Sequence, residues 1–359
     1  MKILDRYCVK EFLRYLAIIV ISFVSLYLII DFFEKIRMFL SNQANVYQMA
    51  SFFFCSVPMI IWQILPASVL MAALIAFGSL SRHSEIIAMK ACGVSLYRLT
   101  APIVVIAAFI SVLAFISSEF VTPYTNQKAN YIRLVDIQKQ VMAGTFKENQ
   151  IWYRGKEGIY NFKVFDPHTS SLQGITIYYV DNKLHLLKRV DAERGEWSRG
   201  KWIFYHVINT SFLPGLFPEL QITPYQVMTL PEHPGNFMGI QKDAENMGFM
   251  ELRRYIMNIK SEGYDATSYI VDLYGKLAFP FVNIIMAIIG LAAALRGERR
   301  GSQSQGLAAG IFIGFSYWIV FAFTVSLGRA GVLPPLLAAW SANILFGLTA
   351  ALLFRRVRT

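Results

Sequence analysis

The sequence predicts an α-helical membrane protein with six transmembrane helices and an inserted all-β, jelly-roll-like domain. Three observations carry the prediction. Long uncharged apolar runs are confined to the two ends of the 359-residue chain. Lys and Arg gather in one set of the short loops that join them. Between the third and fourth runs, a long hydrophilic segment alternates short β-prone stretches with turn residues.

The uncharged runs cover 15–30, 38–81, 99–118, 277–295, 301–328 and 330–354, and about 18 apolar residues suffice to cross a bilayer. Five satisfy this outright. The first, between Arg14 and Asp31, does so when Asp31 lies at the interface beside Phe32 and Phe33. Tyr27 to Ile30 run straight into Asp31 with no small-residue cleavage site, so the segment reads as a retained anchor rather than a signal peptide. The second run is too long for one perpendicular helix. Met49 to Leu80 measures about 48 Å at 1.5 Å per residue, and tilt, extension beyond the bilayer, or bending at Pro58 and Pro66 must absorb the excess.

Charge sets the orientation. Only 16% of residues are charged, against roughly 25% in a soluble domain. A net charge of +11 is compatible with nucleic-acid binding, but membrane proteins collect Lys and Arg in cytoplasmic loops, which explains the excess without nucleic acid. With both termini in the cytosol, the cytosolic set is Lys2, Arg6, Lys10, Arg14, Arg82, Lys90, Arg98, Arg296, Arg299, Arg300, Arg355, Arg356 and Arg358. The short outer loops hold only Lys35, Arg37 and Arg329. The expected organisation is spans one to three in 1–121, a periplasmic region in 122–272, and spans four to six in 273–359.

The inserted region reads as β from Val141 to Leu230, with a domain of about 140–235. Strands are expected at Ile151–Tyr153, Ile159–Phe165, Ile175–Val180, Leu184–Val190, Trp202–Ile208 and Ile222–Leu230. Arg154-Gly155, Asp166-Pro167, Asp181-Asn182 and Arg199-Gly200 are the turn candidates between them. Six or more strands in so short a stretch point to a sandwich or jelly roll. A helix then returns the chain, with Leu252, Tyr255, Ile256 and Ile259 on one face and Glu262-Gly263 at its end. Cys8, Cys55 and Cys92 all lie outside the hydrophilic segment, which therefore holds no internal disulfide.

Catalytic motifs are missing. Gly275-Lys276 is followed by Leu277 and lacks a Gly-rich approach, so no phosphate-cradling loop is present. His83, His168, His185, His206 and His233 are scattered without metal-ligand spacing. Gly314 to Trp318 begins like a nucleophile elbow but lacks the second glycine and lies in a span. The sequence thus indicates a chain that is not itself an enzyme, with no catalytic residue, no metal site and no cofactor.

The most informative cytosolic stretch is Ser81 to Leu99, SRHSEIIAMKACGVSLYRL. Ser84 can cap a helix, Glu85 suits its first turn, Lys90 its last, and Gly93 its exit. An ordinary positive loop and a short rigid helix that takes up motion from a separate ATPase are both compatible with these residues.

In order, Lys2-Ile3-Leu4-Asp5-Arg6-Tyr7, Ser84-Glu85, Gly93-Val94-Ser95, Val121-Thr122-Pro123 and Tyr269 to Pro280, where Lys276 and Pro280 open the fourth span, resemble the lipopolysaccharide export permeases, the LptF/LptG (YjgP/YjgQ) family. The resemblance runs the whole chain, and the opening KILDRY resembles the LptG branch in particular. It implies a heterodimer with the sister permease LptF, bound to a dimer of the ATPase LptB, where ATP is bound and hydrolysed. It further implies membrane-anchored LptC and periplasmic LptA as partners of the β-domain, and lipopolysaccharide as cargo. The family's coupling helix maps onto Ser84–Val94, with Glu85 as coupling glutamate and Ala88, Met89, Gly93 and Val94 along it. The first and fifth spans become lateral gates, and Lys35 and Arg37 become contacts for lipid phosphates. The chain departs from the family pattern at Asp31, one turn before Lys35, where a lysine often stands. From the residues alone, interfacial anchoring suits Lys35 and Arg37 equally well. A permease for another lipid or lipoprotein, and a membrane-anchored assembly scaffold, also remain open on the residues alone.

Overall fold

The computed structural model describes residues 3–138, 144–147, 150–154, 158–166, 170–180, 185–198, 201–212, 217–228, 244–261, 265–297 and 303–355. They form two compact units. The first holds Met1–Gln138, Asn246–Ile256 and Ala266–Thr359, and the second holds Lys139–Glu245 and Met257–Asp265.

The first unit is a helical bundle. Its elements are α1 (Ile3–Ser41), α2 (Val46–Arg82), α3 (Glu85–Ala91), α4 (Leu96–Ile116), α5 (Thr122–Tyr131), the first part of α6 (Phe249–Ser261), α7 (Thr267–Gly297), α8 (Gln303–Arg329) and α9 (Pro335–Arg355). Among the described residues, six helices are long and apolar enough to cross a membrane, as the uncharged runs predict. The excess length of the second run appears as a 37-residue helix that keeps Pro58 and Pro66 inside it. A capping box starts it: the Asn45 side chain accepts from the Tyr47 N–H, and the Gln48 side chain accepts from the Asn45 N–H.

The third span differs from expectation. It does not stop near residue 121 but continues as one rod to Ile137, through π-helical turns at Ser117–Val121 and Ile132–Ile137. A wide turn just before Pro123 is a local way to carry a residue that lacks an N–H and clashes with the preceding turn. The rod's far end packs on the α1–α2 hairpin, where Phe39, Phe52, Cys55, Ala129, Ile132 and Ile137 form a buried cluster.

Two helices form the centre of the bundle. In their most apolar stretches, 61% of residues are buried in α2 and 67% in α7, against 17% in both α1 and α8. Close approach needs small residues: a Cβ on Gly290 would lie 2.6 Å from the Leu70 carbonyl oxygen, so α7 meets α2 only because that position is glycine. A buried polar triad ties three helices. The Tyr317 hydroxyl of α8 donates to Asn343 Oδ1 of α9 at 2.9 Å, and Asn343 Nδ2 donates to the Ala278 carbonyl of α7 at 2.6 Å.

The second unit is an antiparallel sheet of eight strands among the described residues. They are β1 (Gly144–Lys147), β2 (Gln150–Arg154), β3 (Ile159–Phe162), β4 (Val164–Asp166), β5 (Ser171–Val180), β6 (Leu186–Ser198), β7 (Lys201–Ser211) and β8 (Glu219–Met228). The path is β1-β2-β3-β5-β6-β7-β8, with β4 also on β5, so strands follow one another in sequence order except that β3 and β4 both pair with β5. Each predicted strand has a counterpart, while β1 is additional and the expected Ile159–Phe165 strand divides at Lys163. Of the expected turns, Gly155, Pro167, Asp181-Asn182 and Arg199-Gly200 lie outside the described residues.

β6 runs well past the expected Val190, laddered on β5 as far as Glu196 and on β7 as far as Ser198, and its charges find partners along and across the strands. Arg189 meets Asp191 at 2.8 Å, Arg194 meets Glu196 at 2.6 Å, and Thr176 donates to Asp191 at 2.8 Å. The Asp191 bond also raises the Arg189 pKa above its ordinary value. Val190 and Ala192 join Phe162, Ile177, Trp202 and Phe204 in the buried core of the sheet. Among the described residues β8 pairs with β7 alone and leaves Leu220, Ile222, Tyr225 and Val227 exposed, with Pro224 where an edge strand tolerates it.

The return helix α6 buries the predicted face, Leu252, Tyr255, Ile256 and Ile259, and its expected end at Glu262-Gly263 lies outside the described residues. Its start is fixed by Glu119 on the π turn of the third span, whose carboxylate accepts from the N–H groups of Phe249 and Met250.

Candidate functional site

The stretch Ser84–Val94 contains one short helix, α3, which lies between α2 and α4 in the chain. Its inner face holds Ile86, fully buried in a cluster with Phe12 of α1, Leu80 of α2 and Leu96 and Leu99 of α4, with Met89 packed against it. The N-terminal helix touches α3 a second time: the Tyr7 hydroxyl donates to Glu85 Oε2 at 3.0 Å. Motion of α3 is therefore coupled by packing to α1, α2 and α4 together.

The helix start differs from the sequence reading. Ser84 occupies the N-cap position in a left-handed conformation, φ 58°, and its hydroxyl makes no capping bond. The reversal from α2 to α3 takes only His83 and Ser84, and so tight a turn requires positive φ at the second residue. The exit matches the expectation. Gly93 has φ 79°; its N–H bonds the Lys90 carbonyl at 2.9 Å, and the Val94 N–H bonds the Met89 carbonyl at 3.2 Å, the two bonds of a Schellman motif.

Of the residues singled out, Ser84, Ala88 and Gly93 are exposed, while Glu85, Met89 and Val94 are half-buried. A residue missed by sequence reasoning stands beside them. Ile87 is 53% exposed next to Ala88, so α3 turns an apolar patch outward on the side away from Ile86. The signal was present in the pair Ile86-Ile87, since adjacent positions lie about 100° apart on a helix and a seven-residue helix packed along one side can turn the second outward.

Lys35 and Arg37 do not come together. Two residues on a helix lie about 200° apart around its axis. Lys35 points toward α2, with its Nζ 5.4 Å from the centroid of Phe52, and forms an ion pair with Asp31 one turn earlier. Arg37 is exposed, with no ion pair among the described residues. The lysine's charge is thus already neutralised within α1, and of these two residues Arg37 is the cation with no ion pair among the described residues.

The rest of α1 explains why it is so little buried. Cys8, Val9, Phe12, Leu16 and Ile19 are buried at one end and Phe39 at the other, while between Val20 and Met38 only Asp31 is buried. α1 is held at both ends and leaves an apolar middle, with Ile21, Leu26, Ile29, Ile30 and Phe33 exposed. α8 presents a similar surface, with Ile311, Phe312, Phe315, Ile319 and Phe323 exposed. Both helices pack on α2. No cluster of His, Cys, Asp and Glu able to hold a metal ion occurs among the described residues.

The family model described as "Lipopolysaccharide export system permease LptF/LptG" matches residues 6–356. The chain is 24% identical over 353 residues to the lipopolysaccharide export system permease protein LptG of Haemophilus influenzae, covering 96% of this chain and 95% of that one. It is 21% identical over 362 residues to the protein of the same name from Escherichia coli K12, covering 99% and 98%. Six apolar membrane helices, an inserted antiparallel β-domain and a match along almost all its length therefore agree: this chain belongs to the lipopolysaccharide export system permease LptF/LptG family.

Proposed function

We propose that this chain is one transmembrane half of an ATP-driven exporter that extracts lipopolysaccharide from the inner membrane and passes it to a periplasmic bridge. Its sister half is LptF, ATP is hydrolysed by an LptB dimer on the cytosolic side, and LptC and LptA receive the lipid from the β-domain. Both termini and α3 lie in the cytosol, and the insertion lies in the periplasm.

The observation that carries this reading is the shared exposure of α1 and α8, which flank α2 and have apolar stretches only 17% buried. A permease half needs such a surface twice over: to meet its sister subunit, and to let an acyl chain pass between the two. Residues 15–30 of α1 and 303–328 of α8 contain no Asp, Glu, Lys or Arg, so these stretches offer no relay for protons or ions. Arg37 is placed to meet a lipid phosphate, and Lys35 can join it only by leaving Asp31.

Force enters at α3. Closure of the ATPases grips Ile87 and Ala88 from outside, and Ile86 transmits the shift to α1, α2 and α4. Glu85 supplies a carboxylate for charge-assisted bonds, sharing it with Tyr7. The exposed edge β8 offers backbone groups and apolar side chains for strand addition by a partner β-domain. Purification of the intact membrane protein tests the reading: an ATPase, a sister permease and lipopolysaccharide should co-purify. Recovery of none of the three would favour a passive scaffold, and recovery with a different amphiphile would favour another lipid permease.

A further inference from the structure

A second apolar site is lined by helices other than α1, α3 and α8. Between α4, α7 and α9 is an open cavity of about 430 Å³, lined by Ile285 and Ile288 of α7, Gly347 and Ala351 of α9, and Tyr97 of α4. Its lining is almost wholly apolar, with Arg355 the one charged member. α4 and α9 each pack on α7, and at the cavity they touch through Tyr97 and Phe354, edge to face at 5.4 Å. Gly347 keeps the space open. A Cβ there would sit 3.8 Å from Ile285 Cδ1, so any longer side chain would extend into the cavity.

The charges around it share one end of the bundle. Tyr97 lies in the first turn of α4, and Phe354 in the last turn of α9, so their contact brings the start of one helix to the end of the other. Arg355 and Arg98 are both exposed there. An apolar slot with cations at one end matches an amphiphile with an anionic head and a hydrocarbon tail.

We propose that this groove holds one acyl chain of an anionic glycerophospholipid, with Arg355 against the phosphate. The choice of a phospholipid resident in the cytosolic leaflet rests on the orientation given above, in which the C-terminus faces the cytosol. A lipid presented from the opposite leaflet has its head at the wrong end. The bound lipid would fill the gap between α4 and α9 and couple the third and sixth spans through the membrane itself.

The test uses the complete exporter in nanodiscs containing equal parts of phosphatidylethanolamine and phosphatidylglycerol, with Tyr97→p-benzoylphenylalanine as photoreactive probe. Mass spectrometry of the irradiated chain should find phospholipid adducts, with phosphatidylglycerol favoured about fivefold, the contribution of one cation near an anionic surface. Arg355→Gln should keep the adduct and abolish the preference. Gly347→Leu should abolish the adduct, and because Arg355→Gln leaves the packing untouched, it decides the case even where Gly347→Leu folds poorly. Equal labelling of the two lipids in the unaltered groove, an unchanged adduct in folded Gly347→Leu, or labelling of lipopolysaccharide or a protein instead would each overturn the proposal. Proteolysis of a C-terminal tag in inverted vesicles reads the orientation separately, so a wrong orientation is distinguishable from an empty groove.

Discussion

Two adjacent isoleucines on α3 should separate folding from coupling. Ile86 is fully buried among residues of α1, α2 and α4, so Ile86→Ala leaves a cavity and should destabilise the bundle by about 2–5 kcal/mol. Ile87 is 53% exposed, so Ile87→Ala should leave thermal unfolding within about 0.5 kcal/mol of the unaltered protein. What it loses is its value to a partner. Complete burial of an isoleucine is worth about 1.5–3 kcal/mol, of which roughly half is still available at this position. Association with the ATPase should therefore weaken by about 1 kcal/mol, or roughly fivefold, and Ile87→Asp should weaken it further by burying a charge. The assay is titration of purified ATPase onto the permease in nanodiscs, beside thermal unfolding of each variant. Unchanged ATPase affinity and full export in Ile87→Asp would refute the assignment of this face as a docking surface.

Other substitutions follow from the same geometry. Glu85→Lys should impair export more than Glu85→Ala at equal membrane insertion, and Tyr7→Phe should have a smaller effect of the same sign, read by ATP-driven lipid release from proteoliposomes. Asp31→Asn should release Lys35 and strengthen lipopolysaccharide retention, whereas Arg37→Glu should weaken it by an amount that shrinks at high salt; a lipid-binding titration at two salt concentrations checks both. Asn343→Leu removes the shared partner of Tyr317 and Ala278 and should lower stability by about 1–2 kcal/mol, measured as the unfolding midpoint in detergent.

What the sequence made legible was whatever depends on long local patterns. Uncharged runs identify spans because a bilayer tolerates little else, and alternation identifies β2, β3, β5, β7 and β8 because one face of a sheet is dry. The helical extension from Thr122 to Ile137 was not legible. Its Lys128, Arg133 and Asp136 look like loop residues, and only the packing of Ala129, Ile132 and Ile137 on α1 and α2 makes it a rod. The charged half of β6 was hidden for a related reason, since its stability rests on partners in neighbouring strands.

At the candidate site the division is similar. Gly93 was readable because a helix exit needs positive φ, and Ser84 misled because its residue type favours capping while the two-residue reversal dictates a left-handed backbone. The separation of Lys35 from Arg37, and the pairing of Lys35 with Asp31, follow from helical spacing alone. The Asn343 triad was not, because three helices distant in sequence have to meet before its hydrogen bonds exist.

The central claim is that lipopolysaccharide moves along the apolar faces of α1 and α8. It is tested most directly by placing a photoreactive residue at Ile21 on α1, at Phe315 on α8 and at Phe109 on α4, all three exposed, in the assembled exporter. The account predicts lipopolysaccharide adducts at 21 and 315 that diminish when ATP is hydrolysed, with little at 109. Equal labelling at all three positions, or labelling at 109 alone, would contradict it.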